Sequence, residues 1–156
     1  MGCYPNYNKN MIVDNQNPQR TNAAIKAIFD CVGIIPTQQR LQIARVMLSR
    51  PQHLSADQLL ALVNQSGANV SKATVYNTLG LFAHKGLVRE VLVDPDRVFF
   101  DSNTNPHFHL YNEDTGALSD FSAKHLLPTP PELPAGTTLV DIDVIVRIRN
   151  SRASSE

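Results

Sequence analysis

The sequence contains little of what a disulfide-rich, cysteine-zinc or membrane protein requires. Its 156 residues include only two cysteines, Cys3 and Cys31, which supply neither a disulfide framework nor a four-cysteine zinc site. No apolar run approaches the roughly 20 residues that cross a bilayer, and residues 1–19 lack the basic start and apolar middle of a secretion signal. We therefore expect a cytoplasmic protein with no membrane association and a flexible tail over residues 1–19.

The formal net charge of zero hides an uneven distribution of charge along the chain. Between Arg20 and Glu90 eight basic residues stand against three acidic ones, whereas five basic and ten acidic residues lie from Val91 to Glu156. A basic half suits a polyanion such as nucleic acid, and an acidic half suits a cation. Swings of this size also occur in ordinary proteins, so a chance distribution stays open at this point.

Apolar residues recur at helical spacing in four segments of the first half of the chain. The predicted helices span residues 21–32, 37–49, 56–65 and 72–84. The residues at their boundaries are natural N-caps or C-terminal stops: Thr37, Ser55, Ser71, Gly33, Gly67 and Gly86. In the third helix the spacing predicts that Leu59, Leu60 and Leu62 face the core.

The pattern then changes to that of strands. Residues 87–93 and 97–101 read as two strands that flank a turn at Asp94, Pro95 and Asp96. Short helices followed by such a hairpin are typical of a winged helix, in which the second helix of a helix-turn-helix pair presents its N-terminal end to the major groove. We expect residues 20–102 to form this domain.

A second, smaller domain is predicted over residues 103–156. Residues 107–111 and 117–120 form a hairpin, and the alternation of apolar and polar residues over 140–149 predicts a strand with one buried face. The predicted class is therefore α+β, with a small α/β domain after the winged helix. Because a small sheet leaves an edge and an apolar face, a second copy of the chain is expected to cover it, giving a homodimer.

Histidines and aspartates are the candidates for metal binding. His107 and His109 occupy positions i and i+2 of a strand, so their imidazoles point to the same face. Asp120 lies on the paired strand, Asp101 ends the wing, and His53 is expected to open the third helix. Mixed imidazole and carboxylate ligands suit Fe²⁺, Mn²⁺, Zn²⁺ or Co²⁺. Taken singly, the two aspartates also fit turn or solvated positions, and His53 fits a loop.

Six short segments follow one another in a recognisable order and spacing: residues 36–40 (PTQQR), 53–57 (HLSAD), 73–79 (ATVYNTL), 98–101 (VFFD), 107–109 (HFH) and 118–121 (LSDF). Together they resemble the ferric uptake regulator (Fur) family over more than half of the chain. The resemblance implies a homodimeric repressor of transcription that binds a double-stranded DNA operator and is not an enzyme. It also implies a regulatory divalent metal, Fe²⁺ or Mn²⁺, with Zn²⁺ able to bind in vitro, held by His53, Asp101, His107, His109 and Asp120.

The resemblance leaves open whether the protein senses peroxide or responds to iron or haem. Both carboxylate ligands are Asp where iron-sensing members commonly carry Glu, and this pattern is similar to the peroxide-sensing (PerR) branch. In that branch the bound Fe²⁺ reacts with hydrogen peroxide, nearby histidines are oxidised and the repressor releases DNA. The family's structural zinc is missing, since Asn112 and Thr115 stand where its first CxxC pair would be. That absence, together with residues 127–132 (LPTPPE) and 141–149 (DIDVIVRIR), resembles the iron response (Irr) branch, whose members respond to haem or iron. Cys3 is not part of a Cys-Pro pair, so haem contact stays open only through His107 and His109.

The candidate DNA contacts lie mostly at the start of the fourth helix: Arg40, Ser71, Lys72, Thr74, Tyr76 and Asn77. The resemblance implies that Tyr76 touches thymine methyl groups, and the amide of Asn77 can read adenine. Arg40, Arg45, Lys72 and Arg89 are candidates for phosphate contacts, which give affinity but little sequence information. The alternative for Tyr76 is a core aromatic residue. Ile35 stands where the family often has a basic residue that reaches the minor groove.

Two other classes of function compete with a metal-gated repressor. A metal-dependent hydrolase could use the same ligands with a water nucleophile, although the sequence offers no additional general base. A metal-independent winged-helix module that binds a partner is the other, and it predicts no bound cation.

Overall fold

The computed structural model describes residues 22–121, 131–140 and 142–151, and the predicted tail over residues 1–19 lies outside them. Within this part of the chain the structure is a mixture of helices and sheets, which confirms the predicted mixed class. It divides into two compact units between Thr104 and Asn105.

Four helices form most of the first unit, and their bounds agree with the predicted ones within two residues. They are α1 (Asn22–Val32), α2 (Gln38–Met47), α3 (Ala56–Gln65) and α4 (Lys72–His84). Each predicted N-cap accepts a backbone hydrogen bond from the third residue of its helix. Ser55 forms a full capping box with Gln58, so two otherwise unsatisfied N–H groups of α3 gain partners.

Glycines with a left-handed backbone conformation follow α1, α3 and α4: Gly33, Gly67 and Gly86. At Gly86, with φ of +70°, the N–H of Leu87 donates to the carbonyl of Phe82 at 2.9 Å, and the N–H of Gly86 donates to that of Ala83 at 3.0 Å. This is a Schellman motif, which needs a left-handed residue that glycine adopts without steric cost. The chain therefore leaves α4 abruptly and enters the hairpin.

The core of the first unit lies where the apolar faces of the four helices meet. Phe29 of α1 and Phe82 of α4 are fully buried, with ring centroids 5.5 Å apart. The prediction that Leu62 is buried is wrong: its exposure is 40%, and Val63 is buried instead. Leu59 and Val63 are four residues apart and share one helix face. Leu62, one residue before Val63, points about 100° away from Val63 around the helix axis.

A three-stranded antiparallel sheet completes the first unit. It consists of β1 (His53–Leu54), β2 (Arg89–Asp94) and β3 (Arg97–Asp101), in the order β1-β3-β2. The prediction that His53 opens the third helix is wrong, because His53 lies in β1 and pairs with Asp101. A two-residue strand is too short for its alternation to be visible in the sequence, and only its pairing with β3 makes it one.

The second unit contains another three-stranded sheet. β4 (Phe108–Asn112) lies between its antiparallel neighbour β5 (Ala117–Phe121) and its parallel neighbour β6 (Ile145–Ile148). The strand predicted over 140–149 is thus shorter than expected, and Val140 is 94% exposed. Among the described residues of this segment, the strand is confined to the four that lie in register with β4, Ile145–Ile148.

Among the described residues, no helix combines the length and the apolar character that a bilayer crossing would demand.

The exposed glycine inside α4 offers a test of the helix assignment. A β-carbon placed at Gly80 meets no atom within 4 Å, so alanine there gains helix propensity without a clash. We expect Gly80→Ala to raise the free energy of unfolding by about 0.5–1 kcal/mol, measured by urea denaturation. The matched control is Gly86→Ala, which should lower it by roughly 1–2 kcal/mol because φ there is positive. Destabilisation by Gly80→Ala would contradict this account of α4.

Candidate functional site

In the first unit, strand pairing places an imidazole beside a carboxylate. His53 and Asp101 are partners in the β1–β3 register, and His53 Nε2 lies 3.5 Å from Asp101 Oδ2. The side chain of Asp101 has no exposed surface, and that of His53 has 7%. The backbone N–H of Asn103 donates to Asp101 Oδ1 at 2.7 Å, which orients the carboxylate. These two side chains form one half of the predicted ligand set.

Two residues that the sequence analysis missed hold His53 in place. The amide of Gln52 donates to the carbonyls of Val46 and Met47 at the C-terminal end of α2, at 2.7 and 3.1 Å. The N–H of Gln52 donates to Ser102 Oγ at 3.0 Å, and the N–H of Ser102 donates to Gln52 O at 3.1 Å. Gln52 and Ser102 therefore fix β1 between α2 and the end of β3. No sequence signal marks them, because their role depends on contacts 50 residues apart.

In the second unit, two histidines and an aspartate come together. His107 Nε2 lies 3.1 Å from Asp120 Oδ1, and the rings of His107 and His109 have centroids 4.5 Å apart. One possible ligand atom from each of the three lies within 4.8 Å of the others. His109 is fully buried and pairs with Asp120 across the β4–β5 register, whereas His107 precedes β4 by one residue.

A hydrogen bond at Nδ1 of His107 determines what Nε2 of His107 and the Asp120 carboxylate can bind together. Nδ1 lies 2.7 Å from the carbonyl oxygen of Asn105, and since a carbonyl only accepts, Nδ1 carries a proton. In the neutral ring the lone pair of Nε2 then faces the Asp120 carboxylate, and the two repel unless a proton or a cation lies between them. A separation of 3.1 Å is close to that of two ligands on one first-row metal ion with bonds of about 2.1 Å. The donor set therefore fits a divalent metal ion, and imidazole with carboxylate suits iron, manganese or zinc.

The predicted DNA-contacting residues lie on and before α4. Its exposed face carries Lys72, Tyr76 and Asn77, while Val75, Thr78, Leu79 and Phe82 are buried on the other side. Tyr76 is 47% exposed, so the alternative of a core aromatic residue is wrong. The face thus combines a cation, an aromatic ring and an amide, which suits contact with phosphates and base edges.

Three other residues that are predicted to contact DNA make hydrogen bonds within the first unit. Ser71 Oγ accepts from the N–H of Thr74 at 3.2 Å and so caps α4, and it lies 2.8 Å from the hydroxyl of Thr74. Arg40 is half-buried, and its guanidinium donates to the carbonyl of Ile35 at 2.9 Å. Any contact of these groups with another molecule would be additional to these bonds.

Lys72 is held by two neighbours within the first unit. Its Nζ lies 2.8 Å from Asp57 Oδ1 and 5.6 Å from the centroid of the Tyr76 ring. The hydrogen bond to Asp57, together with the attraction of its charge, raises the pKa of Lys72 above its ordinary value. Lys72 is therefore a cation at any physiological pH, and its charge is partly neutralised within the protein itself.

The family model of the ferric uptake regulator family matches residues 32–147. The chain is 35% identical over 94 residues to the peroxide-responsive repressor PerR of Staphylococcus aureus strain Mu50, a match that covers 60% of this chain and 64% of that protein. The chain thus spans less than two thirds of the curated relatives that it matches.

Solved structures share the fold at low sequence identity. The Vibrio cholerae ferric uptake regulator has a TM-score of 0.64 at 23% identity, covering 81% of this chain and 99% of that one. The manganese-containing ferric uptake regulator of Pseudomonas aeruginosa has a TM-score of 0.61 at 24% identity, covering 81% and 98%. For the Campylobacter jejuni peroxide stress regulator the TM-score is 0.55 at 20% identity, covering 86% and 98%. With the family model matched over well above half of its length, the chain belongs to the ferric uptake regulator family.

Proposed function

We propose that this protein is a homodimeric, metal-dependent repressor that binds operator DNA in the cytoplasm and has no enzymatic activity. The observation that carries the proposal is the His107–Asp120 pair, whose Nε2 and Oδ1 atoms lie 3.1 Å apart, close to the separation of two ligands on one metal ion. Residues 20–102 are the winged-helix DNA-binding domain in this proposal, and residues 103–156 are the metal-sensing dimerisation domain. Family membership supports the same division of roles.

One divalent ion, Fe²⁺ or Mn²⁺, with Zn²⁺ able to replace it in vitro, is proposed to take ligands from both units. His53 and Asp101 would come from the first, and His107, His109 and Asp120 from the second. When bound, the ion supplies the positive charge that neutralises two carboxylates. Gln52 and Ser102 keep His53 beside Asp101, so the end of α2 and the first-unit ligands are positioned together. Metal occupancy would then bias how the recognition helices of a dimer are spaced on DNA.

The exposed face of α4 is the proposed recognition surface. Tyr76 and Asn77 would meet base edges in the major groove, and Lys72 and Arg40 would contact phosphates. Ser71 and Thr74 would place the capped N-terminus of α4 against the sugar–phosphate backbone of the DNA. The support for this surface is its exposure and chemistry.

Removal of a candidate metal ligand in the second unit tests whether metal binding and DNA binding are coupled. We expect His107→Ala to lower metal affinity and operator affinity together while the protein remains a dimer. Calorimetric titration with Mn²⁺, DNA binding with and without chelator, and sedimentation measure the three properties. The matched control is His84→Ala, which removes an exposed histidine at the end of α4 and should leave Mn²⁺ affinity unchanged.

Two outcomes would contradict this proposal. Operator affinity that is the same with and without chelator would remove the metal from the switch. Purified protein that contains no cation by elemental analysis, and binds none, would favour the metal-independent partner-binding module.

Base recognition is tested with operators selected from a random duplex library. We expect Asn77→Ala to weaken binding to the selected operator by about 1–3 kcal/mol, roughly five- to 150-fold, because an amide that pairs with a base edge is lost. Binding to random DNA should change little. Asn69→Ala, an exposed amide outside α4, is the control and should alter neither affinity. Equal losses on both kinds of DNA for Asn77→Ala would show that Asn77 does not read sequence.

Hydrogen peroxide is the proposed signal, supported by aspartate at both carboxylate positions and by the similarity to PerR. Peroxide treatment of Fe²⁺-loaded protein is expected to add one oxygen atom to His53 or His107, with peroxide reduced to water, and to abolish DNA binding. Peptide mass spectrometry and a binding assay measure this, and Mn²⁺-loaded protein is the control that should resist.

An iron- or haem-responsive regulator is the second candidate. Asn112 stands where a zinc-binding cysteine would be, and its side chain accepts from the N–H groups of Asp114 and Thr115 at 3.0 and 3.1 Å. The hairpin turn is thus closed without a metal, as expected for a zinc-free member of the family. Stoichiometric haem binding that releases DNA, with no effect of peroxide, would select this candidate over the first.

A further inference from the structure

Asp57 and Lys72 form an ion pair between two helix N-termini beside the proposed recognition surface. Their charged atoms lie 2.8 Å apart, and the side chains are 64% and 61% exposed. Asp57 is the second residue of α3, where a negative charge is favoured by the helix dipole, whereas Lys72 is the first residue of α4, where a positive charge is disfavoured. The first turn of α4 contains no acidic residue to offset that charge, so Asp57 supplies the compensation from outside the helix.

Stability of the fold does not account for this pair. Ion pairs between exposed side chains contribute little to folding, because solvent screens them and two long side chains lose conformational freedom. A lysine placed against the dipole of its own helix is more readily explained by a partner outside the protein. In the proposed function that partner is a DNA phosphate, since Lys72 shares its exposed face with Tyr76 and Asn77.

A phosphate and Asp57 would then compete for the same ammonium group. Lys72 is already paired with a carboxylate and lies over the Tyr76 ring, so a phosphate must displace an existing partner. Once displaced, Asp57 remains near the DNA backbone as an unpaired negative charge. Both effects weaken sequence-independent binding, while the contacts of Tyr76 and Asn77 with bases are unaffected.

We propose that Asp57 is an internal counter-ion that withholds Lys72 from DNA phosphates and thereby lowers affinity for DNA of any sequence. This inference rests on the proposed function as a DNA-binding regulator and assigns to Asp57 a role in setting the sequence-independent part of its affinity for DNA. Because Asp57 opposes only the electrostatic part of binding, occupancy of a site depends more strongly on base contacts than it would without Asp57.

The salt dependence of DNA binding tests the inference. Each phosphate contact that releases counter-ions contributes about 0.9 to the slope of log K against log salt concentration. We expect Asp57→Asn to steepen that slope by up to about 0.9 and to tighten binding to a random-sequence duplex by about three- to tenfold at low salt. The ratio of operator affinity to random-duplex affinity should stay close to its wild-type value, because the released lysine adds the same phosphate contact on both kinds of DNA.

A double-mutant cycle with Lys72→Met identifies the group that is released. In the presence of Asp57, Lys72→Met should change the slope by clearly less than about 0.9, because Asp57 competes with the phosphate for Lys72. In the Asp57→Asn background the same change should remove about 0.9 from the slope. Asp30→Asn, which removes an exposed acidic charge from α1, is the matched control and should leave the slope unchanged.

The outcomes separate the inference from the function on which it rests. An unchanged slope or weaker binding in Asp57→Asn, with a wild-type protein that binds DNA, overturns the role of Asp57 alone. Equal effects of Asp57→Asn and Asp30→Asn also overturn it, because they indicate a general effect of net charge. Metal-loaded wild-type protein and variants that all fail to bind DNA at low salt would overturn the proposed function as well. The pKa of Lys72, measured by NMR on the free protein, should fall in Asp57→Asn and shows independently that the pair exists in solution.

Discussion

Antiparallel strand pairing places an imidazole opposite a carboxylate in each of the two units. His53 faces Asp101 across β1 and β3, and His109 faces Asp120 across β4 and β5. Because side chains alternate along a strand, a slip of one residue in either register would send these groups to opposite faces of the sheet. The candidate metal chemistry thus depends on register, and the hydrogen bonds that fix register are as important to it as the ligands.

The bonds around β1 show how register is maintained when the strand is very short. Two residues cannot specify their own pairing, and the bonds of the Gln52 backbone with the side chain and the backbone of Ser102 supply the missing constraint. Gln52 also satisfies carbonyls at the end of α2, where the helix leaves its last acceptors without internal partners. One residue, Gln52, consequently connects the end of α2, through its side chain, to the strand that contains His53, through its backbone.

The turn between β4 and β5 is closed by polar groups where other members of the family are expected to use cysteine and zinc. Arg149 donates to Glu113 at 2.7 Å, and the N–H of Asn150 donates to Asp114 at 2.7 Å, which ties the turn to the residues after β6. The Asn112 amide adds a bond to the side chain of Asn150 at 2.8 Å. These groups are exposed, so each bond contributes modestly, and the buried residues of β4 must supply much of the remaining stability.

Local features were predictable from the sequence because they depend on neighbours within a few residues. The caps Thr37, Ser55 and Ser71, the stops at the glycines, the hairpins and the His-x-His pair are of this kind, and the order of short motifs indicated the family. Tertiary structure alone decided that His53 lies in a strand and that Val63 replaces Leu62 in the core. It also decided which described residues of the last predicted strand lie in register with β4, and that Asp57 pairs with Lys72. Each of those outcomes depends on a partner distant in the chain, and periodicity contains no information about which distant partner a residue meets.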